Sequence, residues 1–491
     1  MTSALELVRN GLILVLVYNI GKCIYNVFFH PLRKFPGPLS HRMSVFPRTS
    51  HQVHGRLPFH VAKLHQKYGP VVRIGPDELA FSSPQAWRDI YGHKKAGEEE
   101  FPKYDGLYKM LGDSVPESLI NAGREQHGAL RRQVSHGFSD RAMREQEPLI
   151  GAYVDLLISR LKDATAKKSS QDLRSWYNYT TFDIIGDLSF GVDGGFGCLE
   201  NSDYHPWVHL ITKTIRQSAI VQSLPQLGLR PLLEWANKLQ LLAENEHHAI
   251  VHEKVGQRMQ GSERPDFLEG LLRKKDDLNL THTHLTMNAS LLIVAGSETT
   301  ATLLSGATYL LTTNPDVLRK LEQEVRSAYR SEDEITLTSV GRLTYMLACL
   351  NESLRRYPPV VTGMPRVTPR GGGMVDGAFV SQGTIVSVFQ YAVNHDEHYW
   401  KAPNTFAPER WLDDPNYKGD QLDAMQSFSV GPRNCVGRNL AYAEMRLILA
   451  KIVFNFDMSL ADDSRDWLKD QKAYTVWEKP PLNIHLKPVV R

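Results

Sequence analysis

Residues Phe428 to Gly437 read FSVGPRNCVG, and this stretch decides how the rest of the chain is read. Phe428, Gly431, Arg433, Cys435 and Gly437 fit the pattern F-x-x-G-x-R-x-C-x-G. Gly431, Pro432 and Gly437 predict a tight loop whose backbone can lie close to a flat group. From Arg438 the chain reads as a helix, with Leu440, Ala443, Leu447, Ala450 and Phe454 near one face. Cys435 thus precedes a helix N-terminus, where backbone N–H groups and the helix dipole favour an ionised sulfur, a metal ligand. A lone cysteine is most often a small buried hydrophobe. The full pattern, by contrast, arises by chance about once in ten thousand chains of this length.

The segment resembles the haem-binding loop of the cytochrome P-450 monooxygenases, and Ala441 and Glu444 in CVGRNLAYAEMRL continue the likeness. Haem iron can be held by such a thiolate, which favours O–O cleavage. The resemblance implies a mainly α fold with a small β-rich region: a single catalytic domain after an N-terminal membrane anchor. It implies Cys435 as axial ligand of haem b (iron protoporphyrin IX), with Phe428 and Arg433 of the same loop beside the cofactor.

The chain has 491 residues, 42% hydrophobic and 23% charged, ample for a large core. A net charge of +3, mixed in sign, gives no argument for nucleic acid. Cys23, Cys198, Cys349 and Cys435 show no C-x-x-C spacing, so neither a zinc site nor a disulfide framework is indicated.

Leu12 to Phe29 is mostly apolar, at the short edge of the about 20 residues that cross a bilayer. Lys22 within it must snorkel. Arg33 and Lys34 follow, which by the positive-inside rule places the body in the cytosol. The alternative is an amphipathic segment lying on the membrane. The expected division is an anchor over 1–30, a basic Pro/Gly hinge over 31–40 with Pro36-Gly37-Pro38, and a catalytic domain over 41–491. The resemblance implies an endoplasmic reticulum membrane with that domain in the cytosol.

His60 to Tyr68 reads as the end of a helix, and Val71 to Ile74 and Leu79 to Phe81 as a hairpin about Gly75-Pro76-Asp77. Lys94 to Asn121 reads as a long loop with short helical pieces, and in the family this region covers the substrate pocket. His127 and Arg131 share a helix face. By themselves they are a solvated basic face; the resemblance makes them donors to a haem propionate, with His127 where Trp is commonest. Residues 150–285 read as predominantly helical.

Between Asp277 and Asp316 the only formal charge is Glu298, within LLIVAGSETTATLLSG. Thr286 to Thr313 predicts a buried helix of about 42 Å. A lone buried carboxylate is either functional or a salt-bridged core residue. Gly296 with Ser297, Thr299 and Thr300 predicts a local opening that could hold a water. AGSETT resembles the family's acid–alcohol motif, which makes Glu298 and Thr299 the proton-delivering pair and turns Leu291, Leu292 and Ala295 toward substrate.

Glu352 and Arg355 lie opposite an apolar face of Leu343, Leu347, Leu350 and Leu354, a spacing that usually marks a surface salt bridge. In the family this pair bonds the arginine of a second motif, here FAPERW with Arg410, and fixes the cysteine loop. Val360 to Met364 is an extended apolar substrate contact, and the resemblance gives Arg366 to a propionate. Met374-Val375 and Ala378 to Val380 flank an Asp376-Gly377 turn, Thr384 to Phe389 is a strand, and Tyr474 to Trp477 a short β-like segment.

The implied activity is insertion of one oxygen atom from dioxygen into a lipophilic small molecule, in the style of filamentous-fungal tailoring of terpenoids or polyketides. No nucleotide fingerprint is apparent, so electrons are expected from NADPH through a separate membrane-bound flavoprotein reductase, with Arg131, Arg132 and Lys451 as candidate contacts. Competing readings are an oxygen-independent haem-thiolate isomerase or dehydratase, and a non-catalytic haem-binding protein.

Overall fold

The computed structural model describes residues 2–95, 97–109, 116–191, 195–205, 217, 219–238, 246–261 and 266–490. Helices dominate, with small sheets at the periphery. The N-terminal helix Thr2–Phe28 is solvent-facing, and its Glu6–Phe28 portion is long and apolar enough to cross a membrane. Its C-terminal end is tied to the helix Leu39–Met43: Asn26 donates to the Met43 carbonyl at 3.0 Å and Arg42 to the Val27 carbonyl at 3.2 Å. Gly37 is required there, because a Cβ would lie 2.3 Å from the Arg73 carbonyl oxygen.

The predicted hairpin is present, Val71–Gly75 against Glu78–Phe81. Glu78–Phe81 also runs parallel to Ile385–Val388, which pairs with Arg366–Val367, and Arg366 is bridged to Lys103. Gly373–Val375 and Ala378–Val380 form the second expected hairpin, with Asp376 and Gly377 both at positive φ. One expectation is corrected. Tyr474 to Val476 is a turn, and the pairing is between Lys472–Ala473 and Trp477–Glu478. Two-residue strands are too short to show a period in sequence.

The central helix runs unbroken from His282 to Thr312, starting a turn earlier than predicted. Thr281 and His284 make a reciprocal capping box, with histidine where Glu or Gln is usual, so the start left no ordinary signal. The helix packs on Leu173–Phe190. Gly296 serves that contact, since a Cβ would meet the Ile185 Cδ1 at 2.6 Å. Thr299 Oγ1 donates to the Ala295 carbonyl at 2.6 Å and Ser297 Oγ to that of Ile293 at 2.6 Å. The hydroxyls bond back within a continuous helix; the expected local opening is absent.

Glu352 and Arg355 are fully buried, not at the surface. Glu352 accepts from Arg355 at 2.7 and 2.9 Å, from Arg410 Nε at 3.3 Å, from Trp411 Nε1 at 3.1 Å and from the Ala407 amide at 3.1 Å. Arg355 also donates to the Asn394 and Pro403 carbonyls at 2.7 and 2.9 Å. A buried charge pair persists where such bonds satisfy both partners. The network locks the helix Thr344–Arg356 to the turn Pro408–Trp411.

Candidate active site

The cysteine loop is shaped by one obligatory glycine. Gly431 has φ of +76°, and a Cβ on it would lie 2.0 Å from the Tyr91 carbonyl oxygen. Gly437 has φ of −85°, and a Cβ there would meet nothing closer than 3.7 Å, so it carries no such demand. The Cys435 amide donates to the Phe428 carbonyl at 2.8 Å. Arg131 grips the next residue back, donating to the Asn434 carbonyl and to its Oδ1, each at 2.6 Å. The helix Arg438–Asn455 then begins as expected.

Cys435 opens onto a cavity of about 300 Å³. Phe428, Cys435 and Ala441 form one wall; Leu291, Leu292, Ala295 and Thr299 of the central helix form another. Val360, Thr362 and Met364 line the side while Val361 points into the core, the alternation of an extended segment. Burial pushes the Cys435 thiol up, opposed by the Gly437 backbone N–H and by Arg131 and Arg438. The Gly437 N–H at the helix start acts in the expected direction, toward the thiolate; coordination to a metal ion would complete the ionisation.

One end of the cavity is cationic. Lys103, His127, Arg131 and Arg433 line it, and buried Arg366 stands close behind. Arg433 Nε donates to Glu100 Oε1 at 2.6 Å and its Nη1 to the Ala122 carbonyl at 3.0 Å. Arg366 donates to the Phe101 carbonyl at 3.2 Å and lies 3.5 Å from Glu100. Burial, then Arg433, Lys103, Arg131 and Arg366, hold His127 down to about 3. Burial, then Arg433 and Arg366, hold Lys103 down to about 6. Burial first, and then the neighbouring cations, disfavour the charged form of both groups.

This donor set fits an anionic, flat, mainly apolar group. Arg366 Nε and the cavity-lining Trp87 Nε1 are two of several buried donors without a partner among the described residues. Both would be satisfied by carboxylates entering the cationic end. Lys103, Glu100 and Trp87 were not singled out from sequence. Glu100 and Lys103 sit in the loop stretch, where no periodicity or motif marks them, and only the fold brings them beside Arg433, whereas Trp87 lies on the buried face of the helix Pro84–Tyr91.

Thr299 faces the cavity, but Glu298 does not line it. Glu298 is buried and ion-paired with Lys479, whose Nζ also donates to Thr302 Oγ1 at 2.6 Å. The acid and the alcohol therefore point to different sides of the helix. Lys451 is corrected too: it is buried in an ion pair with Asp155 and is no docking cation.

The Cytochrome P450 family description matches residues 36–486. The chain belongs to the cytochrome P450 family. It is 48% identical over 480 residues to the cytochrome P450 monooxygenase tpeC of Talaromyces stipitatus, covering 97% of this chain and 94% of the relative. It is 44% identical over 478 residues to the monooxygenase prhB of Penicillium brasilianum, covering 96% and 97%. It is 44% identical over 487 residues to a trichothecene C-15 hydroxylase of Fusarium sporotrichioides, covering 96% of each. As a P450 monooxygenase it is an oxidoreductase that uses haem, dioxygen, an organic substrate and a redox partner.

Proposed function

We propose that this P450 performs a tailoring oxidation in secondary metabolism, placing one oxygen atom on a lipophilic terpenoid or polyketide. The observation that carries this reading is Cys435 and Thr299 facing one apolar cavity with a cationic end. Cys435 would hold the iron of haem b, Phe428 would pack against the ring, and His127, Arg131, Arg366 and Arg433 would take its propionates. Bound there, haem supplies dioxygen activation and transfer of one oxygen atom to carbon.

The chain's own part is ligand, orientation and proton supply. Leu291, Leu292, Ala295, Val360 and Met364 exclude water and hold an apolar molecule. The Thr299 hydroxyl, bonded back to Ala295, is a donor and acceptor at the cavity wall, and Glu298 beside it in sequence is the proton source behind it. The oxygen-independent isomerase reading leaves a hydroxyl at that wall without a task. Electrons would come from NADPH through a separate flavoprotein reductase, with 1–30 as anchor in the endoplasmic reticulum, 31–40 as hinge and 41–491 as the cytosolic catalytic domain. A relative named as a trichothecene C-15 hydroxylase supports the substrate class.

The test compares metabolites of a fungal host with and without the chain, with Cys435→Ser as control. A new oxygenated product, absent with Cys435→Ser, is expected. A product formed without NADPH and dioxygen would favour the isomerase.

A further inference from the structure

We propose that Asn288 is a positioning residue for ligand selectivity: its side-chain oxygen ties the turn carrying Leu119 and Ile120 to the central helix and so sets where one wall of the cavity stands. The inference rests on the reading of this space as the substrate cavity and deepens it.

Asn288, Leu291, Leu292, Ala295 and Thr299 fall at the spacing of one helix face. The last four line the cavity, and Asn288 begins the stripe one turn before it. A buried amide at the head of an apolar stripe needs partners. Asn288 is 1% exposed and has two. Its Nδ2 donates to the His284 carbonyl of its own helix at 2.8 Å. Its Oδ1 accepts from the Leu119 amide, 169 residues away in sequence, at 2.9 Å. Only the second bond reaches another element.

Leu119 and Ile120 both line the cavity, yet they sit in a turn, outside any helix or strand. The turn closes on itself through the Asn121 and Ala122 amides, which donate to the Ser118 carbonyl at 3.1 and 2.9 Å. Three side chains hold it from outside. Lys103 donates to the Ile120 carbonyl, Arg433 donates to the Ala122 carbonyl at 3.0 Å, and Asn288 takes the Leu119 amide. Lys103 and Arg433 belong to the cationic end, so among the described residues Asn288 is the tether on the central-helix side. Without it the turn keeps its hold at the cationic end, while the Leu119 side is released from the helix that carries Leu291 and Leu292. A preformed apolar wall favours a ligand long enough to touch it and does nothing for a shorter one.

Asn288→Ala removes the acceptor. Asn288→Asp restores it, because a carboxyl buried there takes up a proton and then donates and accepts as the amide does. Hydrogen exchange at the Leu119 amide of the haem-loaded protein should be about tenfold faster in Asn288→Ala and within about twofold of wild type in Asn288→Asp. The shift of the haem absorption band is then titrated with imidazole and with 4-phenylimidazole. Asn288→Ala should bind 4-phenylimidazole about fivefold more weakly and imidazole as wild type does, with Asn288→Asp restoring the first. If Asn288→Ala does not load haem, Asn288→Thr takes its place, since its hydroxyl can bond back within the helix as that of Thr299 does. Equal exchange in wild type and the acceptor-less variant overturns the tether. Faster exchange with unchanged 4-phenylimidazole affinity, or an equal loss for both ligands, overturns the selectivity role. A wild-type chain that binds no haem refutes the cavity reading and that role with it, while exchange at Leu119 still decides the tether.

Discussion

At the scale of single residues, the cavity separates groups that act by contact from groups that act by charge. Thr299 touches the space beside Cys435. Thr299→Ala should keep the haem spectrum but divert electrons to peroxide, lowering product per NADPH about tenfold or more. Unchanged coupling would remove Thr299 from proton delivery. Lys103 makes a prediction of opposite signs. Its pKa is held down to about 6, against an ordinary 10.5, because burial and two arginines disfavour its charge. A group depressed in this way stabilises fully only above 10.5, and stability is lost as pH falls from there toward 6. Lys103→Met should therefore stabilise the haem-free protein at pH 7 by about 1 kcal/mol or more. The same change should weaken haem retention, since a propionate would restore the lysine's charge. Melts of the haem-free protein and haem-transfer rates of the loaded protein check the two signs; a destabilised haem-free variant would contradict the crowding argument.

At the scale of elements, the cysteine loop is held by contacts that reach it from two directions. Gly431 fits under the Tyr91 carbonyl and Arg131 holds Asn434, while the Glu352 network braces the upstream turn Pro408–Trp411. Glu352→Gln leaves Arg355 buried without its counter-charge, while Arg410 keeps Asp420, and should cost about 3 kcal/mol, read by urea unfolding. A cost under about 1 kcal/mol would place that network outside the stability of the loop. How much of this was legible varied with range. The loop pattern, the central helix and the hairpin about Gly75-Pro76-Asp77 are local, and the sequence carried them. The burial of Glu352 was visible only through the family likeness, because a Glu and an Arg three apart look the same on a surface. Lys479 on Glu298 spans 181 residues, and Glu100 on Arg433 spans 333, so no spacing rule reaches either.

At the scale of the whole molecule, a mainly buried helical body is joined to one exposed apolar helix. The two meet through the Gly37 segment packed on Arg73 and the bonds of Asn26 and Arg42, so residues 1–25 can be removed without cutting these contacts. Deleting residues 1–25 should shift the protein from the membrane pellet to the supernatant while its haem spectrum stays the same. Loss of the spectrum would show that the helix also supports the catalytic body.

The proposed function depends on Cys435 binding the haem iron. The most direct test is the absorption spectrum of the reduced carbonyl complex of purified holoprotein, wild type beside Cys435→Ser. The account predicts a thiolate-type long-wavelength band in the wild type that vanishes in a folded Cys435→Ser protein. A band of the imidazole type in the wild type, or a thiolate-type band surviving in Cys435→Ser, would contradict it.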